Sequence, residues 1–179
     1  MFEELSLHIL DIAMNSVAAG ARTIQIVVIE NARRDWLIVR VRDDGCGMDA
    51  RTLQRVLTQS LTSKPGRRKP IGLGLAFLRH TSEMCGGTFH VRSTPGKGTS
   101  VTASMRLSDI DRPPVGDLNA TILTLCAAAS DTNVQLDYRS NGQTFRFDSH
   151  ELHQPERRSH EPRRTQETEG ESPAASRAA

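Results

Sequence analysis

The chain contains few aromatic residues and few cysteines. Trp36 and Tyr138 are the single residues of their types among 179, so the core must be built mainly from aliphatic side chains. Its three cysteines, Cys46, Cys85 and Cys126, are odd in number and widely spaced, and no CxxC pair occurs. This pattern indicates neither a disulfide framework nor a zinc site. We therefore expect a reducing compartment, the cytoplasm.

The chain also lacks a large excess of charge of either sign, and it lacks long apolar runs. The 23 basic and 21 acidic residues leave a net charge of +2, which gives no broad field for nucleic acid or an anionic membrane. The first residues lack the basic region of a signal peptide, and no apolar run is long enough to cross a bilayer. We expect one domain of ordinary size with some excess, and neither nucleic acid nor membrane as its partner.

The first helix predicted by apolar periodicity contains two polar residues on one face. Residues 5–19 show helical spacing, with Ser6 as a candidate N-cap and Gly20 as a candidate stop. Asp11 and Asn15 are four residues apart and therefore share a face. Burial of a carboxylate and an amide is costly without partners. Two interpretations remain at this point: a solvated stripe on an amphipathic helix, or a polar pair that faces a ligand cavity.

Two hairpins are predicted by period-two alternation. Residues 23–30 and 36–42 predict an antiparallel pair with one face buried under helices. Residues 88–93 and 99–107 predict a second pair, joined by the Pro- and Gly-containing turn at residues 94–98.

Glycine-rich segments lie between these hairpins. The turn at residues 43–48, Asp-Asp-Gly-Cys-Gly-Met, allows close approach of a ligand, although such a turn alone is weak evidence for one. Asp49 is a candidate N-cap of a short helix. Residues 58–70 form a polar, basic loop. Glycines in residues 71–78 open a further helix whose free N–H groups can bind phosphate, without a Walker A or Rossmann fingerprint.

The order of the predicted elements indicates the fold class. It is that of an α+β, two-layer sandwich in which helices cover one face of a mostly antiparallel sheet. We assign residues 1–107 to this domain, 108–116 to a linker, 117–149 to a small helix-and-hairpin module and 150–179 to a disordered tail. About thirty residues are too few for an independent core. The module is therefore expected to dock on the main domain, on a partner, or on a second copy to form a homodimer.

Four short motifs follow one another along the main domain. They are Asp11-x-x-x-Asn15, Asp43-x-Gly45-x-Gly47, Gly72-x-Gly74-Leu75 and Gly98-Thr99. In this order they resemble the N box, the two glycine boxes and the final Gly-Thr pair of the GHKL superfamily. That superfamily includes topoisomerase B subunits, mismatch-repair ATPases, a heat-shock chaperone ATPase, sensor histidine kinases and anti-sigma-factor kinases. The resemblance covers roughly residues 5–107 and implies the Bergerat ATP-binding fold.

The resemblance also implies a role for each motif residue in binding ATP and Mg²⁺. Asn15 would hold the metal, and Asp43 would accept a hydrogen bond from the adenine amino group. The other implied nucleotide contacts are Gly45, Gly47, Met48 and Thr99 near the base, and Lys64, Gly72, Leu73, Gly74 and Leu75 at the phosphates. Residues 58–71 would be the ATP lid. Asp11 stands where hydrolases of the superfamily carry a catalytic Glu that is one methylene longer, and a displacement of about 1 Å can cost on the order of 10²-fold in rate.

Two functions are compatible with these implications. The first is a stand-alone ATP-dependent protein kinase or ATPase, a phosphotransferase that acts on a partner protein in signal transduction. The second is a non-catalytic module whose ATP-ordered lid gates partner binding. No phosphoacceptor-histidine hairpin precedes the domain and no transducer domain follows it, so a complete sensor kinase, a topoisomerase subunit or a mismatch-repair protein is not expected.

Overall fold

The computed structural model describes residues 4–59 and 73–152, which form five helices and six strands. The helices are α1 (Leu5–Ala18), α2 (Ala50–Gln59), α3 (Leu73–Met84), α4 (Leu118–Ala128) and α5 (Ser149–Leu152). The strands are β1 (Thr23–Asn31), β2 (Trp36–Asp43), β3 (Thr88–Thr94), β4 (Gly98–Arg106), β5 (Asn133–Ser140) and β6 (Gln143–Asp148).

The six strands form one sheet in the order β3-β4-β2-β1-β5-β6. Neighbouring strands are antiparallel except β1 and β5, which are parallel. The predicted α+β class with a mostly antiparallel sheet is thus confirmed. Both predicted hairpins of the main domain are present, with Asn31 paired to Trp36 in one and Thr94 paired to Gly98 in the other.

The core lies between one face of the sheet and the helices. Alternation along β1 turns Ile24, Ile26 and Val28 to that face, and all three are buried. The buried side chains of α1 meet them, with Leu5 and Ile9 fully shielded from solvent. Helices α1, α3 and α4 pack together with the sheet on this side. Complete burial of each such aliphatic side chain contributes about 1.5–3 kcal/mol, so this face fixes where α1 and α3 stand.

Most predicted helix ends agree with the structure, and one cap differs. Gly20 follows α1 with φ of +71°, and Asp49 caps α2 by accepting a 2.6 Å hydrogen bond from the Thr52 amide. The prediction that Ser6 is the N-cap of α1 is wrong. Glu4 takes that position, and buried Ser6 donates to Glu4 Oε2 at 3.1 Å. The reason is that the helix already begins at Leu5, so that buried Ser6 lies within its first turn and not before it.

The segment that the sequence separates as a linker and module is in contact with the main domain. Pro114 and Val115 accept hydrogen bonds from the first amides of α1. Strand β5 pairs with β1 over eight positions, from Thr23 beside Asn133 to Glu30 beside Ser140. Of the three dockings left open by the sequence, the structure therefore shows the one on the main domain. Contact with a partner or a second copy stays a prediction.

Some predicted features lie outside the described residues, which exclude 1–3, 60–72 and 153–179. Most of the basic loop and nearly all of the tail fall there. Helix α2 extends to Gln59, so the first two residues assigned to the loop are helical instead. Within the described part, none of the helices has both the length and the hydropathy that a membrane crossing requires.

Candidate nucleotide-binding site

Asp43, at the end of β2, is the best-supported side chain of the candidate site. It is 8% exposed and accepts three hydrogen bonds. Its Oδ1 accepts from the amides of Gly45 at 3.0 Å and Thr99 at 3.1 Å, and its Oδ2 accepts from the Ser16 hydroxyl at 2.8 Å. Because the donors belong to a turn, a strand and a helix, the carboxylate is held in one orientation.

Ser16 is a site residue that the sequence analysis missed. It is 3% exposed on α1, next to Asn15, and its hydroxyl lies 2.8 Å from Asp43 Oδ2 and 3.3 Å from the Ile12 carbonyl. A polar side chain between Ile12 and Val17 on the buried stripe of an apolar helix is the sequence signal that could have identified it, since a buried hydroxyl needs a partner.

The glycine-rich turn after Asp43 is clamped between α1 and the β3–β4 hairpin. The Cys46 amide donates to the Ala19 carbonyl at 3.0 Å, and the Cys46 carbonyl accepts from Gly96 at 2.8 Å. Gly47 has φ of +64°, and a Cβ there would overlap the Thr94 carbonyl. Only glycine fits at Gly47, because a side chain would suffer both the left-handed backbone and this overlap.

Met48 and Thr99 meet at one hydroxyl. The Met48 amide donates to Ser93 Oγ at 2.8 Å, and Thr99 Oγ1 lies 2.8 Å from the same atom. Gly45 is buried, and a Cβ on it would lie 3.0 Å from the Ala19 carbonyl. The residues predicted to surround the base, namely Asp43, Gly45, Gly47, Met48 and Thr99, are therefore brought together at one corner, and Ser93 is a second contributor that sequence reasoning missed.

Asp44, the other acid of the turn, has a structural role. Its Oδ1 accepts from the Arg22 and Thr23 amides at 2.8 Å each, which attaches the turn to the start of β1. Partial desolvation acts to raise the pKa of Asp44, but the bonds from the Thr23 and Arg22 amides outweigh it, so its pKa lies below the ordinary value.

The second half of the candidate site lies where α1 meets α3. Asp11 is half-buried on α1, and a Cβ on Gly74 would overlap Asp11 Oδ2. Gly74 is the second residue of α3, whose first-turn N–H groups have no partner within the helix. Asp11 therefore stands against the positive end of the α3 dipole. Asn15, one turn later on α1, is exposed.

The remaining predicted phosphate contacts are only partly described. Leu75 has its side chain buried in the core, at 8% exposed, which leaves its backbone as the group able to face a ligand. Leu73 begins α3. Lys64 and Gly72 lie outside the described residues.

Similar proteins carry this region as one segment of much longer chains. The chain is 34% identical to the virulence sensor protein BvgS of Bordetella bronchiseptica, over 54% of this chain and 9% of that protein. It is 33% identical to the sensor histidine kinase ZraS of Klebsiella oxytoca, over 56% of this chain and 21% of that one. It is 29% identical to sporulation kinase D of Bacillus subtilis, over 56% of this chain and 19% of that protein. The chain thus matches between 9% and 21% of the length of these three relatives.

A model of a protein family matches a larger part of the chain than these pairwise comparisons do. The model of the histidine kinase-, DNA gyrase B- and HSP90-like ATPases matches residues 1–109. That range holds α1, the Asp43 turn, α3 and both hairpins of the main domain, and it is more than half of the chain. The chain therefore belongs to the family of histidine kinase-, DNA gyrase B- and HSP90-like ATPases.

Proposed function

We propose that this chain binds ATP together with Mg²⁺ and uses the nucleotide to phosphorylate, or to act through hydrolysis on, a partner protein in the cytoplasm. The observation that carries the proposal is the fixed Asp43 carboxylate. The names of the relatives, which include sensor histidine kinases and a sporulation kinase, support phosphate transfer as the reaction class.

The geometry of Asp43 fits recognition of an adenine ring. A carboxylate has about four acceptor sites, and three are taken by Ser16, Gly45 and Thr99. The fourth would accept from the exocyclic amino group of adenine. Guanine carries a carbonyl oxygen at that place, and two acceptors repel, so the site should select ATP over GTP.

The residues at α1 and α3 fit a magnesium triphosphate. Mg²⁺ commonly keeps several waters and takes one or two protein oxygens plus phosphate oxygens, and Asn15 offers one exposed amide oxygen. Waters and phosphate oxygens would supply the remaining ligands. The bound ion would offset phosphate charge.

Asp11 is the candidate catalytic group. It lies beside Gly74 at the α3 N-terminus, where the phosphates would bind. From there it could orient, and accept a proton from, an attacking water or a partner hydroxyl or imidazole. The alternative function, a non-catalytic ATP-switched interaction module, follows if the shorter Asp side chain does not reach the nucleophile.

The binding proposal is tested by titrating Mg-ATP and Mg-GTP into wild type, Asp43→Asn and Asn15→Ala. We expect Asp43→Asn to weaken ATP binding about tenfold or more, as for loss of a hydrogen bond to a charged group. Asn15→Ala should lower affinity in the presence of Mg²⁺ more than in its absence. Asp131→Asn, an exposed acid in the turn before β5, is the matched control. Unchanged ATP affinity in both site variants would refute the nucleotide site.

Turnover separates the two functions. We expect slow ATP hydrolysis or phosphate transfer by wild type, and a loss of about 10²-fold in Asp11→Asn with ATP affinity largely retained. Binding without any turnover in wild type would favour the non-catalytic module. Turnover that Asp11→Asn leaves unchanged would show that Asp11 is not the catalytic group.

A further inference from the structure

The face of the sheet opposite the helices carries a concentration of basic side chains on β2, on β3 and in the turn between β3 and β4. Arg40 and Arg42 are exposed on β2, and His90 and Arg92 are exposed on β3. With Lys97 of the β3–β4 turn they line an open basin of about 680 Å³, which we call the basic sheet surface. This surface is remote from the α1–α3 contact, because it lies on the other side of the sheet.

The basic side chains stand in rows set by the strand register. Ser100 of β4 pairs with Arg42 on one side and with Arg92 on the other, and Thr102 likewise pairs with Arg40 and His90. Successive rows are about 6.8 Å apart, because same-face residues are two positions apart along a strand. Lys97 precedes Gly98 and so stands at the end beyond the Ser100 row.

No carboxylate neutralises these charges among the described residues. The acid in the basin lining, Asp43, shares the other face of β2 with Val41 and is bound there to Ser16. Asp137, two strands away on β5, is bound by Arg139 and Arg146. The ion pairs of the described residues include none of the cations of the basic sheet surface. Positive charges two residues apart on β2, and those that face each other across β4, repel one another, and an anion bound here would offset that repulsion.

The same chain contains an acidic segment with the matching spacing. Glu167, Glu169 and Glu171 alternate with uncharged residues, and residues 165–172 contain no basic residue. In an extended conformation, three carboxylates at alternate positions lie on one side about 6.8 Å apart. That repeat equals the separation of the row that contains Arg42 from the row that contains Arg40.

The chain is also long enough to bring this segment to the surface. Fourteen residues, 153–166, separate Leu152 from Glu167. They can span up to about 46 Å, whereas four strand spacings, or about 19 Å, separate β6 from β4. We propose that the acidic segment, residues 167–171, docks on the basic sheet surface of its own molecule, with two of its carboxylates paired to the Arg42 and Arg40 rows and the third next to Lys97 of the β3–β4 turn.

Proteolysis by a glutamate-specific protease tests the docking on the full-length chain. Cleavage after Glu167, Glu169 and Glu171 is followed by mass spectrometry in low salt. We expect Arg40→Gln with Arg42→Gln to accelerate it about fivefold, the effect of losing two or three exposed ion pairs together. Arg33→Gln with Arg34→Gln, which removes the same charge from the exposed β1–β2 turn, is the control and should leave the rate unchanged. High salt should accelerate cleavage of wild type to the rate of the Arg40 and Arg42 variant.

The second measurement locates the contact from the side of the segment. In full-length protein carrying Glu167→Gln, Glu169→Gln and Glu171→Gln, backbone amide resonances of Arg40, Arg42, Arg92 and Lys97 should shift, while those of Arg33 and Arg34 should not. Equal cleavage rates in wild type and the Arg40 and Arg42 variant, or unshifted amides on the surface, would overturn the proposal. Protection that grows with protein concentration would also overturn it, because the contact would then join two copies.

Discussion

At the scale of single residues, the site depends on a buried polar contact between α1 and β2. Ser16 and Asp43 are 3% and 8% exposed, and their side chains bond at 2.8 Å. A buried carboxylate that loses one donor is both less stable and less well oriented. Ser16 therefore positions Asp43, although it need not touch a ligand.

Ser16→Ala is expected to weaken Mg-ATP binding about five- to thirtyfold, because Asp43 would lose the donor that fixes Oδ2. Isothermal titration measures this effect. Ser130→Ala, in the exposed turn after α4, is the control and should bind as wild type. Wild-type affinity in Ser16→Ala would show that the amides of Gly45 and Thr99 are sufficient to hold the carboxylate.

His8 gives stability a pH dependence. It is fully buried on α1, and burial lowers its pKa from 6.5 to about 4. At pH values between 6.5 and about 4, the His8 side chain binds a proton in the unfolded chain but not in the folded chain. Acidification through this range therefore favours unfolding. We expect the free energy of unfolding to fall by about 2 kcal/mol from pH 7 to pH 5 through this residue.

Urea denaturation at the two pH values checks the His8 prediction. In His8→Leu, the difference in the free energy of unfolding between pH 7 and pH 5 should be smaller than in wild type, whatever the stability of the variant at pH 7. His80→Gln, at an exposed position of α3, should retain the wild-type difference. A His8→Leu protein with the full difference would assign the pH dependence to other groups.

At the scale of secondary-structure elements, the contact of α1 with α3 depends on the absence of a side chain at Gly74. Alanine normally stabilises a helix interior by about 0.5–1 kcal/mol relative to glycine. At Gly74 the added Cβ would overlap the Asp11 carboxylate, so α3 or Asp11 would have to move. Gly74→Ala is therefore expected to destabilise the fold by about 1–3 kcal/mol and to weaken nucleotide binding.

A double-mutant cycle isolates this contact. Gly74→Ala should lower the free energy of unfolding by less in an Asp11→Ala background, where the overlapping atoms are absent. The difference between its effects in the two backgrounds is the coupling energy between α1 and α3. Urea denaturation of the four proteins measures it. Identical costs in the two backgrounds would mean that the effect of Gly74→Ala does not arise from the overlap with Asp11.

At the scale of the whole molecule, the family domain and the segment after it share one sheet and one core. The family match ends at residue 109, yet Leu125 and Val134, beyond it, are fully buried in the same core as Ile24 and Ile26. Helix α4 also packs against α1, the helix that carries Asp11 and Asn15. The stability of the site therefore depends on residues outside the matched segment.

Leu125→Ala should lower the free energy of unfolding by about 2–5 kcal/mol, because it leaves a cavity between α4 and the core. Leu123→Ala on the same helix, where the side chain is 66% exposed, should change it by less than about 0.5 kcal/mol. Chemical denaturation of the two variants gives the comparison. Equal effects would show that α4 does not contribute to the cooperative core of the whole chain.

Local features of the fold and site were accessible from sequence because each depends on neighbouring residues. The Asp49 cap and the two hairpin turns require particular residue types at fixed offsets, and the structure contains them. Ser6 failed as a cap because α1 already begins at Leu5, so that buried Ser6 lies within its first turn. Ser16 and Ser93 were missed because their partners, Asp43 and the Met48 amide, are distant in sequence.

By itself the sequence determined the types and order of the elements and the four motifs, since periodicity, glycine and cap residues act within a few positions. Only the tertiary structure decided that Ser16 holds Asp43, that Gly74 meets Asp11, and that β5 lies parallel beside β1. These are contacts between distant segments, set by which apolar faces bury one another. The glycine-rich turn could thus be identified from its residues, whereas the orientation of its carboxylate depended on the packing of α1 against the sheet.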